Sequence, residues 1–318
     1  MKKVAFLINK VIKRYRQIVS DIEAEFMYST DCKLFISEKA GHIKELASEA
    51  VREGYDYLIV VGGDGTINEV INGMTSRYKV KEELSSDSFD WQAIQKIKIG
   101  LLPAGSGNDF ARYHQLKYDI KYLKFLIEKD KVKPLDVGYT TFNNQQNQQV
   151  ERFFSNITDV GMGGHTVQHM DRHKVGWLGS NLNYTKAILS SFITYDKSTI
   201  KWTSDQASWQ GKIMSMVVAN GKYFGSGLAV APDAKMDDGK FTLVTLGNIT
   251  MLDYLQNLGK VKKGEPIVHK EVSYTEAKEV TIEPLDGKEL PIDMDGDFVG
   301  YCPMTLKCIT KSISFLIN

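Results

Sequence analysis

Disulfide chemistry has almost nothing to work with in this chain. The three cysteines, Cys32, Cys302 and Cys308, are odd in number and form no C-x-x-C pair. Neither a disulfide framework nor a zinc knuckle is expected, and a reducing, cytoplasmic compartment fits best. An excess of one charge is missing too, since 40 Lys and Arg balance 39 Asp and Glu. Phosphate-backbone binding needs a clear basic surplus, so no nucleic-acid partner is expected. Long apolar runs are also absent. The first, residues 4–8, gives way to Asn9 and Lys10, too short for a signal-peptide core or a membrane span. The uncharged stretch at 213–232 is interrupted by Lys222 and dotted with Gly and Ser. These features argue against an integral membrane protein but leave binding at a membrane surface open. Lys2, Lys3, Lys10, Lys13, Arg14 and Arg16 all precede the first acid, Asp21. Such a run could meet anionic lipid, although a solvated helix face is its commoner explanation.

What is present suits two domains, the default for 318 residues. Over residues 1–133, short β-branched runs at 3–8, 32–37, 57–61 and 97–102 alternate with helical patterns, which predicts a parallel sheet of β-α units. Between the second and third runs, Ile43, Leu46, Ala47, Ala50 and Val51 form one apolar stripe at helical spacing, closed by Gly54. From Pro134 the character changes. Strand-like runs at 137–142, 152–159, 199–203, 212–219, 241–246, 280–283 and 305–310 follow mostly without long helices. They predict a largely antiparallel β domain over 134–303. The polar residues 143–149 read as a hairpin tip, and the patterns at 181–193 and 250–258 as helices crossing the sheets. Residues 304–318 carry a last strand, 312–317, that either stays with the second domain or returns to the first.

Two turns carry the chemistry. A buried run from Tyr57 leads into Gly62, Gly63, Asp64, Gly65 and Thr66 and then into a helix. Three glycines where a strand hands over to a helix N-terminus let backbone N–H groups crowd around phosphate oxygens. Asp64 is the single charged side chain in that turn. A carboxylate beside bound phosphates repels them unless a cation intervenes, so it argues for a nucleotide presented with Mg²⁺. The plainer reading is a tight turn with Asp64 capping the next helix. Forty residues later a second strand enters Pro103, Gly105, Ser106, Gly107, Asn108 and Asp109. Ligands collect at the carboxyl ends of parallel strands, so both turns would lie there. Ser106, Asn108 and Asp109 suit phosphate, ribose or metal, and Asn108 and Asp109 equally suit helix caps.

Gly62-Gly63-Asp64-Gly65-Thr66-x-Asn68-Glu69, followed by Pro103-x-Gly105-Ser106-x-Asn108-Asp109-x-Ala111-Arg112, resembles the diacylglycerol kinase catalytic-domain family, in its bacterial lipid-kinase and sphingosine-kinase-like branch. The first motif alone is shared with NAD kinases and, loosely, phosphofructokinases; the pair at this spacing is far more specific. The similarity covers nearly the whole chain. Residues 37–42 match a short segment in which Ser or Thr touches the nucleotide, 231–240 resemble a structural Mg²⁺ loop, and 293–297 resemble the catalytic Asp-Gly-Glu.

The resemblance implies an α/β nucleotide-binding domain like that of phosphofructokinase and NAD kinase, a mostly antiparallel β-sandwich lipid-binding domain, and an active site in the cleft. It implies ATP-dependent phosphorylation of a lipid hydroxyl, diacylglycerol or a relative, by a cytoplasmic enzyme peripheral at the inner face of the membrane. A homodimer is among the assemblies it allows. Carried over by position, Asn9, Ser37, the turn from Gly62 to Thr66 with Asn68 and Glu69, and Ser106 with Asn108 and Asp109 would hold ATP. Lys235 and Lys240 through backbone carbonyls, and Asp238 through its carboxylate, would hold Mg²⁺. Asp295 would be the general base with Asp297 supporting it. Two positions depart from the family pattern: Asn9 is followed by Lys10 rather than Pro, and Asp297 stands where Glu is usual.

Two competing readings use the same residues, an NAD kinase and a non-catalytic lipid or nucleotide sensor. His165, His169 and His173 recur at helical spacing but lack an H-E-x-x-H pattern, so an ordinary helix face is expected there. Asp-Gly at 295–296 and 238–239 is also a common hairpin signal.

Overall fold

The apolar runs near the start of the chain lack inward–outward alternation, a pattern that suits strands covered on both faces. The computed structural model describes residues 2–27, 31–172, 188 and 190–318. In it these runs form β1 (Lys3–Ile8), β2 (Asp31–Ile36), β3 (Tyr57–Gly62) and β4 (Lys98–Pro103). They are parallel, in the order β4-β3-β1-β2. The chain divides into two units, 1–137 with 310–318, and 138–309, slightly beyond the boundaries expected at 133/134 and 303/304. The last strand belongs to the first unit, where Ser314 and Phe315 pair in parallel with Lys98 and Ile99.

Among the described residues, six α-helices complete the first unit: α1 (Tyr15–Phe26), α2 (His42–Arg52), α3 (Asp64–Ser76), α4 (Trp91–Ile94), α5 (Asp109–Tyr113) and α6 (Ile120–Glu128). Ile18, Ile22 and Phe26 of α1 and Leu123, Leu126 and Ile127 of α6 share one apolar cluster with Phe6, Ile8, Ile59 and Val61. The stripe predicted for α2 is buried at Ile43, Leu46, Ala47 and Ala50. Gly54 closes that helix at φ 80°, a left-handed conformation that favours glycine.

The second unit is built of antiparallel strands, some with alternating burial and others buried at every position. β5 (Val132–Asn144) and β6 (Gln149–Phe154) form the expected hairpin. β7 (Ile157–Gly161), α7 (Met162–Arg172), β8 (Ser198–Ser204), β9 (Ser208–Ile213) and β10 (Ser215–Ala219) follow. Next come β11 (Phe241–Leu246), α8 (Met251–Lys263), β12 (Val272–Ala277), β13 (Glu279–Pro284), β14 (Pro291–Met294) and β15 (Asp297–Leu316). One layer runs β12-β11-β10-β7-β14-β15 and another β9-β8-β13-β15. Val160, Val218, Leu243 and Ile292 from the first pack with Ile200, Trp202, Val280 and Ile282 from the second in one cluster. The result is a β-sandwich.

Two runs expected to be continuous are broken. Residues 152–159 divide at Ser155 and Asn156, and 212–219 divide at Met214, whose N–H reaches the carbonyls of both Leu246 and Gly247 (2.8 and 2.9 Å). The helix expected over 181–193 lies largely outside the described residues. Among the described residues, no helix is long and apolar enough to cross a membrane.

The packing of α2 on α3 gives a direct test. A Cβ at Gly73 would lie 2.1 Å from the Lys44 carbonyl oxygen and 2.9 Å from the Ala47 Cβ, and backbone cannot swing away. Gly73→Ala is expected to cost about 1–3 kcal/mol by overpacking. Gly259→Ala, at a helical position with nothing within 4 Å, is expected to be neutral or to stabilise by up to about 1 kcal/mol. Urea unfolding of both variants checks the contrast.

Candidate active site

β3 and β4 are neighbours with Gly62 opposite Pro103, so the two glycine-rich turns leave the sheet side by side. The N–H groups of Ala104 and Gly105 both donate to the Gly62 carbonyl (2.9 and 3.2 Å). A Cβ on Gly105 would stand 2.5 Å from the Gly63 Cα, so the turns can touch only as glycines. Asn108, at φ 53°, ties its own loop by accepting from the Gly105 N–H (3.0 Å) and donating to the Gly105 carbonyl (2.8 Å). Ser106 is exposed in that loop. At the end of β1, Asn9 donates to the Thr66 hydroxyl (3.4 Å), and the Lys10 N–H donates to the Ser37 hydroxyl (3.1 Å). Asn9, Ser37 and Thr66 are thereby gathered at the carboxyl ends of β1 to β3.

The acids of these motifs have scaffold duties that the sequence did not reveal. Asp64 does not cap its own helix; its two oxygens accept from the N–H groups of Asp109 and Phe110 (3.0 and 2.9 Å), holding the first turn of α5. Glu69 accepts from the Lys44 N–H in the first turn of α2 (3.3 Å). Asn68, expected to face the nucleotide, is fully buried and bonded to Asn72 (3.1 Å). Asp109 is 4% exposed and 3.6 Å from the Arg112 guanidinium. Asn68 and Asp109 thus both lie among buried side chains. α3 itself has Gly63 at its N-cap and no side-chain cap. The N–H groups of its first turn have no acceptors within the helix, as at any helix start, and the macrodipole places positive charge there.

In the second unit, β14 and β15 join through Asp295 and Gly296, at φ 49° and 92°, the two positive values of a tight hairpin turn. Asp295 is buried. Its Oδ2 accepts from the N–H and hydroxyl of Ser155 (2.8 and 3.2 Å), and its Oδ1 from the N–H groups of Asn156 and Ile157 (3.0 Å each). Four donors on two oxygens make it a clamp on the break between β6 and β7 and leave it poorly placed to receive a proton. Asp297 is different: its side chain is 45% exposed, with Oδ2 held by Arg152 at 2.9 Å. Asp295 is thus the buried, hydrogen-bonded acid of the pair and Asp297 the accessible one. Arg152, Ser155 and Asn156 were missed because they lie far from the motif in sequence; the break in an otherwise apolar run was their only signal.

The 231–240 loop leaves Lys235 and Asp238 exposed. Partial burial raises the Asp238 carboxyl above its ordinary value against the pull of Lys240, whose own ammonium pairs with Glu276 at 2.6 Å. One carboxylate with backbone carbonyls is a hard-oxygen donor set that suits Mg²⁺ completed by water. Among the described residues no group of three His, Cys, Asp or Glu gathers as a metal site. His165 meets the Thr194 hydroxyl (3.2 Å), His169 is exposed, and His173 lies outside the described residues.

The Asp64 geometry changes what its removal should do. Asp64→Ala strips two acceptors from the start of α5 and is expected to cost roughly 1–3 kcal/mol of stability, measured by denaturant unfolding without any nucleotide. An unchanged unfolding midpoint would return Asp64 to a purely ligand-facing role.

Known proteins share both halves of this arrangement. Residues 3–140 match the family described as Diacylglycerol kinase catalytic domain, and 157–317 that described as YegS C-terminal NAD kinase beta sandwich-like domain. The chain is 29% identical over 274 residues to the diacylglycerol kinase of Staphylococcus carnosus strain TM300, covering 85% of this chain and 79% of that one. It is 27% identical over 283 residues to the diacylglycerol kinase of Staphylococcus haemolyticus strain JCSC1435, covering 88% and 76%. A solved diacylglycerol kinase from Bacillus anthracis str. Sterne matches with TM-score 0.67 at 18% identity, covering 100% of this chain and 97% of that one. At such identity the structural likeness speaks for the fold alone. With its two motifs in register and both domains matched, the chain belongs to the diacylglycerol kinase catalytic-domain family.

Proposed function

We propose that this protein is a lipid kinase that moves the γ-phosphoryl group of ATP to a hydroxyl of diacylglycerol or a closely related lipid. The observation that carries the reading is the start of α3. Its N-cap is a glycine without a capping side chain, while Asp64 and Glu69 beside it are drawn away to α5 and α2. A positive helix end that nearby acids have left uncapped suits phosphate oxygens. Gly62, Gly63, Gly65 and Gly105 keep side chains out of their way, and Asn9, Ser37, Thr66 and Ser106 offer polar atoms for the rest of the nucleotide. Each Asp64 oxygen has accepted one bond and retains a second lone pair.

Phosphoryl transfer asks the protein mainly for positioning and charge stabilisation. Mg²⁺, when bound, screens the phosphate charge, and Asp238 with the backbone carbonyls of Lys235 and Lys240 would hold a structural ion of the same kind. Asp297 takes the hydroxyl proton as the new O–P bond forms and ADP departs; Arg152 fixes its orientation, and Asp295 holds the turn from which it projects. The lipid acceptor places the work at a membrane surface, with the enzyme peripheral on the cytoplasmic side.

Asp297→Asn is expected to slow transfer by about 10²- to 10⁴-fold, the usual contribution of a general base, while ATP binding is retained. Asp295→Asn, which sets an amide N–H₂ against backbone donors, is expected to lower stability by roughly 1–3 kcal/mol. Single-turnover transfer of radiolabelled phosphate to diacylglycerol, with ATP binding and thermal melting measured alongside, separates the two roles. Transfer to NAD instead of lipid would replace the reading with an NAD kinase, and ATP binding without transfer to any lipid would leave a sensor.

A further inference from the structure

Behind the Asp-Gly-Asp turn lies a second pair of acids that the chemistry above does not use. Asp159 on β7 and Asp293 on β14 are direct partners across antiparallel strands, so both side chains stand on the same face of the sheet. Their exposures are 4% and 1%. α7 closes that face tightly: a Cβ on Gly163 would lie 2.0 Å from the Asp159 Oδ2, and one on Gly164 2.1 Å from the Pro291 carbonyl oxygen. Asp159 has donors, the Ser215 hydroxyl at 2.8 and 3.0 Å and the Gly163 N–H. Asp293 has one, the Gly296 N–H on Oδ1 at 2.8 Å. Its Oδ2 is buried without a hydrogen-bond partner among the described residues. No lysine or arginine is among the main influences on either carboxyl.

Two carboxylates cannot both stay ionised face to face in a dry site. We infer that Asp293 is carried as the neutral acid, its Oδ2 proton turned across the strand pair toward Asp159, and that this proton makes Asp293 a positioning residue for the hairpin bearing Asp297. The positioning role rests on the reading of Asp297 as the base; the proton does not. Asp293 reaches the turn directly, because its Oδ1 accepts from Gly296, the residue between Asp295 and Asp297. Ionising it would add a charge beside Asp159 and strain the strand pair that sets the turn. The other titratable groups nearby reinforce the preference for a neutral acid. Asp295 and Asp297 on the hairpin add negative charge. Tyr195, pushed up to about 12 by burial and influenced by Asp159, stays neutral, and α7 contributes His165 and His169. Burial raises Asp159 to about 8, and burial with the Asp159 charge raises Asp293 well above the usual carboxylate range.

A native-state value raised above the unfolded one, about 4, means stability is fully present below that pH and is lost as pH rises toward the folded value. Asp293→Asn imitates the neutral acid, since its carbonyl still accepts from Gly296 and its amide can donate to Asp159, and it cannot ionise. Its melting temperature relative to the parent should therefore climb between pH 5 and 9, by roughly 5 °C or more. Infrared difference spectra should show protonated carboxylic acid absorption at pH 7 in the parent that loses its Asp293 component, leaving that of Asp159, in Asp293→Asn. For the positioning role, Asp293→Ala should lower the kcat of lipid phosphorylation at least about tenfold with the ATP KM within twofold, and Asp293→Asn should restore it.

A flat melting difference with no acid band at pH 7 overturns the inference. So does a difference that appears only after chelator is added, which would put a cation in place of the proton. Melting and infrared need no substrate, so an inactive parent protein would count against the kinase reading while the proton stands or falls separately. A parent that is active but unaffected by Asp293→Ala would overturn the positioning role.

Discussion

Unspent backbone N–H groups at the starts of helices and at a broken strand are the constraint around which this molecule is organised. Each must find an acceptor or meet solvent, and the chain answers with carboxylates brought from elsewhere. Asp64 serves α5, Glu69 serves α2, Asp295 serves the gap between β6 and β7, and Asp159 serves the first turn of α7. Charged acceptors make stronger hydrogen bonds than neutral ones, so a few acids fix the places where strands give way to helices. The starts of α1 and α3 have no such side-chain cap.

Much of this was legible in advance. Short β-branched runs alternating with helical patterns predicted the parallel sheet, the period of Ile43, Leu46, Ala47 and Ala50 predicted α2, and the crowding of glycines marked both strand-to-helix turns. Those features are local: residue type and spacing decide them. The duties of Asp64 and Asp295 were not legible, because they depend on donors 45 and about 140 residues away. From the sequence, an acid among glycines looks the same whether it faces a ligand or a neighbouring helix. Asp159 and Asp293 gave still less warning, since only strand register places them opposite each other.

The broken strand at Ser155 and Asn156 shows how a departure from pattern can carry information. A run from Arg152 to Asp159 has the composition of one strand, yet β6 ends at Phe154 and β7 begins at Ile157. The Ile157 N–H donates to the Asp295 side chain while the Asp295 N–H donates to the Ile157 carbonyl (3.0 and 2.9 Å). A side chain has replaced a backbone carbonyl at the end of the β7–β14 ladder. The substitution fixes the turn geometry more tightly than a frayed strand end could.

β15 makes the first unit a discontinuous one. Its sheet is finished by residues near 314, and the Gln95 side chain binds the Lys311 carbonyl, a contact spanning 216 positions. During synthesis the ribosome delivers β1 to β4 long before that strand exists, so the outer edge of β4 stays without its neighbour while the whole second unit is made. Contacts of such separation slow folding, because the loop must close before the pairing rewards it. The nascent chain therefore passes through a period with an open sheet edge, when a chaperone or a self-protecting local structure has the most to contribute.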